Sequence, residues 1–237
     1  MASEYLKWKY RDVKPEERAE LTPAEKRKNW WHYHKWHVAV AFVLLGVGAN
    51  LIGRALGFGQ IRPDYQVAYV GENALPDDTA AAVERAFASR GRDLNGDGQV
   101  TVRLNQYPIG GADPERVESS QVTLMADLLE CESYFFLLED PVWFQTSYQA
   151  LCRLDGSLPE KASADGTYLA WTDCPVLAGI KLGGYSYQLL GETASGSSDE
   201  LVSGLYLARR GFWTEKTAPH PEGCEALWNS LTEGALS

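Results

Sequence analysis

A chain of 237 residues that is 45% hydrophobic and 23% charged has the make-up of an ordinary folded protein of one or two domains, not of a disordered, collagenous or coiled-coil one. Its charge is uneven: residues 1–36 hold 9 basic and 6 acidic side chains, net +3, whereas residues 37–237 carry a net −13. The acidic bulk argues against a nucleic-acid binder, which needs a basic face to neutralise phosphates.

The first element is an apolar run. Between Lys35 and Arg54 stand 18 residues without a formal charge, from Trp36 to Gly53. As a helix they cover roughly 27 Å, close to the ~30 Å hydrocarbon core of a bilayer, and Ala55 to Phe58 can extend the span. Asn29-Trp-Trp-His-Tyr-His-Lys-Trp36 precedes the run as an aromatic collar suited to headgroup level, with Lys26, Arg27, Lys28 and Lys35 on the same side. The positive-inside rule then predicts a cytoplasmic segment over 1–35, a transmembrane helix over 36–59 and an extracytoplasmic domain over 60–237. The expected location is the cell membrane, crossed once, with the C-terminal domain extracellular. Two other readings of the run stay open: a buried core helix, and a signal peptide cleaved near Val47-Gly48-Ala49. Thr22-Pro23-Ala24-Glu25 forms a capping box with Pro at the first helical position, so one helix should start there and continue into the bilayer.

The fold class expected for the exported part is α/β, a mainly parallel sheet with flanking helices and a more β-rich, hairpin-containing second half. Tyr65–Val70 reads as a strand, Leu75–Arg90 as a helix and Val100–Leu104 as a strand. A second helix opens at Asp113-Pro114, Tyr134–Leu138 is a buried central strand, and Asp140-Pro141 caps a third helix through Leu151. That alternation implies parallel strands joined by right-handed crossovers. Further on, Tyr168–Trp171, Val176–Leu182, Tyr185–Leu190 and Leu201–Ala208 read as strands. A Ser-rich loop separates the last two over 191–198, and a short helix closes the chain over Cys224–Leu231.

Asp93-Leu-Asn95-Gly-Asp97-Gly98-Gln99 has side-chain oxygens at positions 1, 3 and 5, Gly at 6 and a backbone carbonyl at 7, the pattern of the first half of a calcium loop. Position 12 is Leu104 where the bidentate Glu would stand, so Asp93, Asn95, Asp97 and the Gln99 carbonyl predict a weak structural calcium site, about 0.1 to 1 mM. The same residues also suit a plain Asx and Gly turn. Cys131, Cys152, Cys174 and Cys224 all fall on the exported side, which permits two disulfides in any of three connectivities or four buried thiols. Histidine is scarce: after the anchor only His220 remains, between two prolines, and no nucleophile elbow, phosphate loop or dinucleotide fingerprint occurs. Paired carboxylates among Glu72, Glu139, Asp140 and Asp173 are what acid–base chemistry would have to use.

In open parallel sheets ligands sit beyond the carboxyl ends of the strands. Here those ends are Gly71–Asn73, Gln106–Tyr107 and Glu139–Asp140, so Glu72, Asn73, Tyr107, Glu139, Asp140 and Trp143, with the 191–198 loop, are the candidate ligand-binding residues. The Thr-Pro-Ala-Glu-Lys and Trp-Trp-His-Tyr-His-Lys-Trp-His stretches, the anchor, Tyr-Gln-Val-Ala-Tyr-Val-Gly and Asp-Leu-Asn-Gly-Asp-Gly-Gln-Val resemble a group of single-pass membrane proteins of Gram-positive bacteria with no assigned activity. The resemblance covers most of residues 22–110 and implies an architecture only. By strand and helix order the exported part is also similar to one lobe of an extracytoplasmic solute-binding protein, a likeness of fold that transfers no residues. These readings converge on a membrane-anchored extracytoplasmic binding or interaction module, with the bilayer and an extracellular ligand or membrane protein as partners. A carboxylate-dependent cell-envelope enzyme and an accessory subunit of a membrane complex are the alternatives.

Overall fold

A computed structural model describes residues 22–55, 62–111, 113–160, 162–189, 192–212 and 215–235. The stretch before Thr22 that was expected to be cytoplasmic, the extension of the apolar run over 56–58, the expected domain start at residue 60 and the first residue of the Ser-rich loop lie outside the described residues. The chain forms two compact units, 1–61 and 62–237.

In the first unit, α1 (Pro23–Ala55) is one unbroken helix of 33 residues. Its start is the capping box expected there: the Thr22 N–H and hydroxyl donate to the Glu25 carboxylate at 2.9 and 2.8 Å, and the Glu25 N–H returns to Thr22 Oγ1 at 3.4 Å. In the collar Trp30 stacks on His34 with ring centroids 4.9 Å apart, and His34 Nδ1 donates to the Trp30 carbonyl at 2.9 Å. Pro23–Gly53 is long and apolar enough to cross a membrane, and none of its apolar window is buried within the chain.

The second unit opens with β1 (Tyr65–Gly71), α2 (Asp77–Ala88), β2 (Val102–Pro108), α3 (Pro114–Glu130), β3 (Phe135–Leu138) and α4 (Pro141–Tyr148). The helix starts follow local chemistry. Asp113 accepts the N–H groups of Glu115 and Arg116 ahead of Pro114, and Asp140 Oδ1 accepts the Trp143 N–H at 2.8 Å ahead of Pro141. The α4 helix stops three residues before the predicted Leu151. Gln149 turns left-handed at φ 50°, and Gln145 Oε1 takes the Leu151 N–H at 2.9 Å, which ends the helical ladder.

After α4 come β4 (Tyr168–Ala170), α5 (Pro175–Ala178), β5 (Gly184–Leu189), β6 (Glu192–Ser197), α6 (Ser198–Ser203), β7 (Tyr206–Arg209) and α7 (Pro221–Leu231). Three expectations are corrected here. Val176–Leu182 is not a strand: Pro175 starts a one-turn helix that ends at Gly179. Leu201–Ala208 is divided, because Ser197 caps α6 through the Glu200 N–H, Asp199 and Glu200 favour its first turn, and Gly204 precedes β7. The described part of the Ser-rich loop is β6, paired residue by residue with β5 from Gly184↔Ser197 to Leu189↔Glu192. A Cβ on Gly196 would meet the Tyr185 ring and hydroxyl at 2.6–3.0 Å, so a larger residue there would have to turn that ring aside.

The main sheet has five strands in the order β2-β1-β3-β7-β4. The β1 strand is parallel to β2 and β3, and β7 runs antiparallel between β3 and β4, so four of the five point the same way. Alternate residues feed two cores. Tyr65, Val67, Tyr69, Phe135, Leu137 and Leu207 pack with Val83 and Phe87 of α2 and Leu227 and Trp228 of α7. Ala68, Val70, Phe136, Leu138 and Ala208 pack with Leu124 and Leu128 of α3 and Phe144 of α4. The result is a three-layer α/β/α unit with the strand ends of β1, β2 and β3 at one pole. The two-stranded β5–β6 hairpin stands apart from this sheet.

Candidate functional site

Beyond the carboxyl ends of β1 and β3 a cavity of about 330 Å³ is lined by Val70, Gly71, Glu72, Ile109, Gly110, Glu139, Asp140 and Trp143. Four of the six residues expected from strand polarity, Glu72, Glu139, Asp140 and Trp143, therefore meet in one place. Backbone bonds build its floor: the Ile109 N–H donates to the Gly71 carbonyl at 2.8 Å, and the Gly110 N–H to the Glu72 carbonyl at 3.0 Å.

Glu139 holds this floor together. Its Oε1 accepts the Tyr69 hydroxyl at 2.6 Å and its Oε2 accepts the Glu72 N–H at 2.7 Å, while the same hydroxyl lies 3.0 Å from the Asn73 carbonyl. Burial, and then the Glu139 carboxylate beside it, push the Tyr69 phenol far above its ordinary range. Both Glu139 oxygens are thus engaged by the protein. Asp140 uses one oxygen to cap α4. Glu72 is exposed, and Trp143 is 37% exposed at the rim. Two glycines make the close packing possible: a Cβ on Gly71 would lie 2.6 Å from Glu139 Cδ, and one on Gly110 would collide with the Glu72 side chain. Neither glycine was singled out by its sequence context, because only the fold shows what presses against them.

The other expected residues sit elsewhere. Asn73 contributes a backbone carbonyl to Tyr69 and does not line the cavity. Tyr107 lines a separate cavity of about 350 Å³ with Gln106, Arg116 and Ser120, and its hydroxyl is turned inward to Asp127 at 2.7 Å. Asp127 also accepts the Ser133 N–H and hydroxyl, so this is a structural cluster tying α3 to β2 and β3. Of the 191–198 stretch, the described residues 192–198 are absent from the cavity lining: 192–197 pair with β5, whose Ser186 N–H donates to Asp78 of α2. Asp173 lies in the short 3-10 turn Trp171–Asp173 and is not among the cavity residues.

In the 93–99 loop the expected oxygens accept backbone hydrogen bonds. Asp93 takes the Gly96 and Gly98 N–H groups at 2.6 and 2.8 Å, Asn95 takes that of Asp97 at 2.8 Å, and Asp97 takes that of Gln99 at 2.9 Å. The Gly98 amide is the main cause that holds the Asp93 carboxyl below its ordinary value. Gly96 and Gly98 have φ of 77° and 87°, as a tight loop of this pattern requires. Beneath it, the buried Asp64 accepts the N–H groups of Leu94, Asn95 and Thr101 at 2.7–3.0 Å, an anchor that the spacing of the motif did not reveal. Among the described residues, no group of three or more His, Cys, Asp or Glu is placed to hold a metal ion.

All four cysteines are buried free thiols with separate neighbours. Burial pushes Cys174 up to about 11 and Cys224 up to about 12, so neither is a thiolate near neutral pH. Compared with known proteins, the chain matches no family, no characterised protein and no solved structure.

The cavity floor yields a direct test. Gly71→Ala should destabilise the protein by about 1–3 kcal/mol, because the new methyl displaces the Tyr69–Glu139 pair. Gly204→Ala, whose Cβ would meet nothing nearer than 3.9 Å, should change stability far less. Thermal or urea unfolding of the two variants gives the comparison; equal effects would show that the close approach at Gly71 carries no weight.

Proposed function

We propose that this chain is a single-pass membrane protein whose α/β unit is an extracytoplasmic binding module. Its ligand site is the cavity between Gly71–Glu72, Ile109–Gly110 and the start of α4. The observation that carries the reading is the meeting of Glu72, Glu139, Asp140 and Trp143 at the strand ends, where open parallel sheets bind ligands. Acceptor oxygens of Glu72 and Asp140 beside an accessible indole suit a ligand that donates hydrogen bonds or carries positive charge and has an apolar face for Trp143. Commitment of both Glu139 oxygens to Tyr69 and Glu72 favours binding over proton transfer by that residue. A thermal-shift screen of the full chain with amines, amino acids and sugars is the test. A genuine ligand should lose roughly tenfold in affinity in Glu72→Gln and in Trp143→Ala and keep it in Tyr187→Ala, which lies on the hairpin. A ligand indifferent to the first two changes binds elsewhere.

For topology, α1 crosses the bilayer with its Lys- and Arg-rich collar on the cytoplasmic side. Support comes from its length, its unburied apolar window and the flanking Lys26, Arg27, Lys28 and Lys35. Single cysteines introduced at residues 10 and 195 and probed on intact cells with a membrane-impermeant thiol reagent should give labelling at 195 and protection at 10. The reverse pattern would invert the topology.

The 93–99 loop is further proposed as a weak structural calcium site, on its residue spacing and its glycine conformations. Millimolar calcium should then raise stability by RT ln(1 + [L]/Kd), on the order of 0.5 to 1.5 kcal/mol for a Kd between about 1 and 0.1 mM. Thermal unfolding of the full chain in EDTA and in calcium measures it. No shift, or an equal shift in the Asp93→Ala and Asp97→Ala double variant, would leave the loop as a self-bonded turn.

A further inference from the structure

The charge balance of the cavity at the strand ends narrows what can occupy it. Glu72, Glu139 and Asp140 bring three formal negative charges to its lining, which holds no Lys, Arg or His. All three acids are exposed, so a molecule in the cavity can reach them. Each is also held in place by another residue of the lining. The Glu72 side chain lies against Gly110, the Glu139 carboxylate packs on Gly71 and accepts the Glu72 N–H, and Asp140 Oδ1 accepts the Trp143 N–H.

No cation of the fold offsets these charges. The donors that the protein supplies to them are the Tyr69 hydroxyl and two backbone amides, all uncharged. The two ion pairs among the described residues, Arg209–Glu225 and Lys216–Glu130, involve none of the three acids. The Glu72 carboxylate and Asp140 Oδ2 accept no hydrogen bond among those residues. The N-terminus of α4 opposes the acids with about half a unit charge, part of which Asp140 already meets. An anion is therefore repelled, and a zwitterion loses at its carboxylate what it gains at its ammonium.

The rest of the lining chooses among cations. Among the described residues no group of three or more His, Cys, Asp or Glu is placed to hold a metal ion. Val70, Ile109 and the partly exposed indole of Trp143 form an apolar wall, from which a hydrocarbon chain gains and a bare ion does not. A primary ammonium carries three N–H donors, enough for Glu72, the free oxygen of Asp140 and a remaining lone pair on Glu139. A quaternary ammonium donates to none of them and would cover those acceptors without pairing them. At about 330 Å³ the cavity stands at the small end of ligand sites, roughly 300–1,000 Å³, so the chain is short.

We propose that this cavity binds a short primary aliphatic amine as its ammonium ion, with the charged end among Glu72, Glu139 and Asp140 and the chain against Val70, Ile109 and Trp143. The proposal rests on the reading of the cavity as the ligand site and names the ligand class. The test is ligand-observed NMR with the full chain in zwitterionic nanodiscs, empty nanodiscs serving as the blank. Four probes share one carbon chain: pentylamine, pentanol, pentyltrimethylammonium, and norleucine, which is pentylamine with a carboxylate beside the amine. Pentylamine should bind saturably, pentanol and norleucine at least roughly tenfold more weakly, and the quaternary ion at least roughly threefold more weakly, since only pentylamine makes charge-assisted hydrogen bonds without repulsion. Glu72→Gln, and Asp140→Asn, which keeps a capping oxygen, should each lose roughly tenfold for pentylamine. Glu200→Gln, at an exposed acid of α6 outside the cavity, should lose nothing. Absence of saturable pentylamine binding, equal binding of any other probe, or an equal loss in Glu200→Gln would each overturn the amine. The two readings fail differently. Another probe that outbinds pentylamine and is weakened by Trp143→Ala would remove the amine and leave the cavity as the ligand site, whereas binding of every probe undiminished by Glu72→Gln, Asp140→Asn and Trp143→Ala would remove the cavity as well.

Discussion

The α/β unit depends on β3. Phe135, Phe136, Leu137 and Leu138 are all 0% exposed, and the strand lies between β1 and β7 with both faces covered. Phe135 and Leu137 serve the core under α2 and α7, while Phe136 and Leu138 serve the core under α3 and α4. A strand buried on both faces cannot slip by one residue without exchanging the two cores. Its register therefore sets where the next two residues fall. Glu139 and Asp140 follow directly, one turned back to Tyr69 and Glu72 and the other capping α4. The candidate site is in this sense the end of β3, and its geometry inherits the rigidity of the two cores.

The first half of this unit was legible because each helix carries explicit punctuation. Asp113-Pro114 and Asp140-Pro141 are cap and first-turn pairs, and the continuous apolar run before Asp140 has the pattern of a central strand. Punctuation was present in the second half too, but it competes with apolar runs that suit either state. Val176-Leu177 sits just after Pro175, and the helix signal there lasts one turn only. Asp199-Glu200 following Ser197 marks a helix start, yet Leu201 to Ala208 reads as a strand if Gly204 is passed over. In β6 the chain has small polar residues with little strand preference of their own, and pairing with β5 decides the outcome. The α/β class with a mostly parallel sheet could be read from residues; the antiparallel β7 between β3 and β4 could not, since strand direction depends on which neighbours close the sheet.

The same division runs through the candidate site. Strand polarity brought Glu72, Glu139, Asp140 and Trp143 together on paper because it needs only element order. Tyr107 went astray because its ring faces α3, where Asp127 offers a buried acceptor. Sequence alone does not distinguish a carboxylate used by the fold from one left for a ligand. Asp64, Asp127, Glu139 and Glu225 all serve the protein, accepting backbone amides, phenols, hydroxyls or a guanidinium. Part of the acidity that looked functional is therefore internal scaffolding, which pins loops whose backbone donors would otherwise be unpaired.

Arg209 and Arg210 apply that logic to positive charge. The residues are adjacent, so on an extended chain their side chains leave opposite faces. Arg209 emerges on the α7 side, where Glu225 lies one turn into the helix and Trp228 lies three residues further on the same face. Arg210 emerges on the α3 side, where the only acceptor its guanidinium reaches among the described residues is a helix-end carbonyl. Such a carbonyl carries a fraction of a charge, enough to orient a guanidinium but not to neutralise it. One face of the sheet thus closes its electrostatics within the fold, and the other leaves an arginine beside an apolar pocket. That asymmetry, fixed by the alternation of a single strand, separates an arginine neutralised by a carboxylate from one that is held by a helix-end carbonyl.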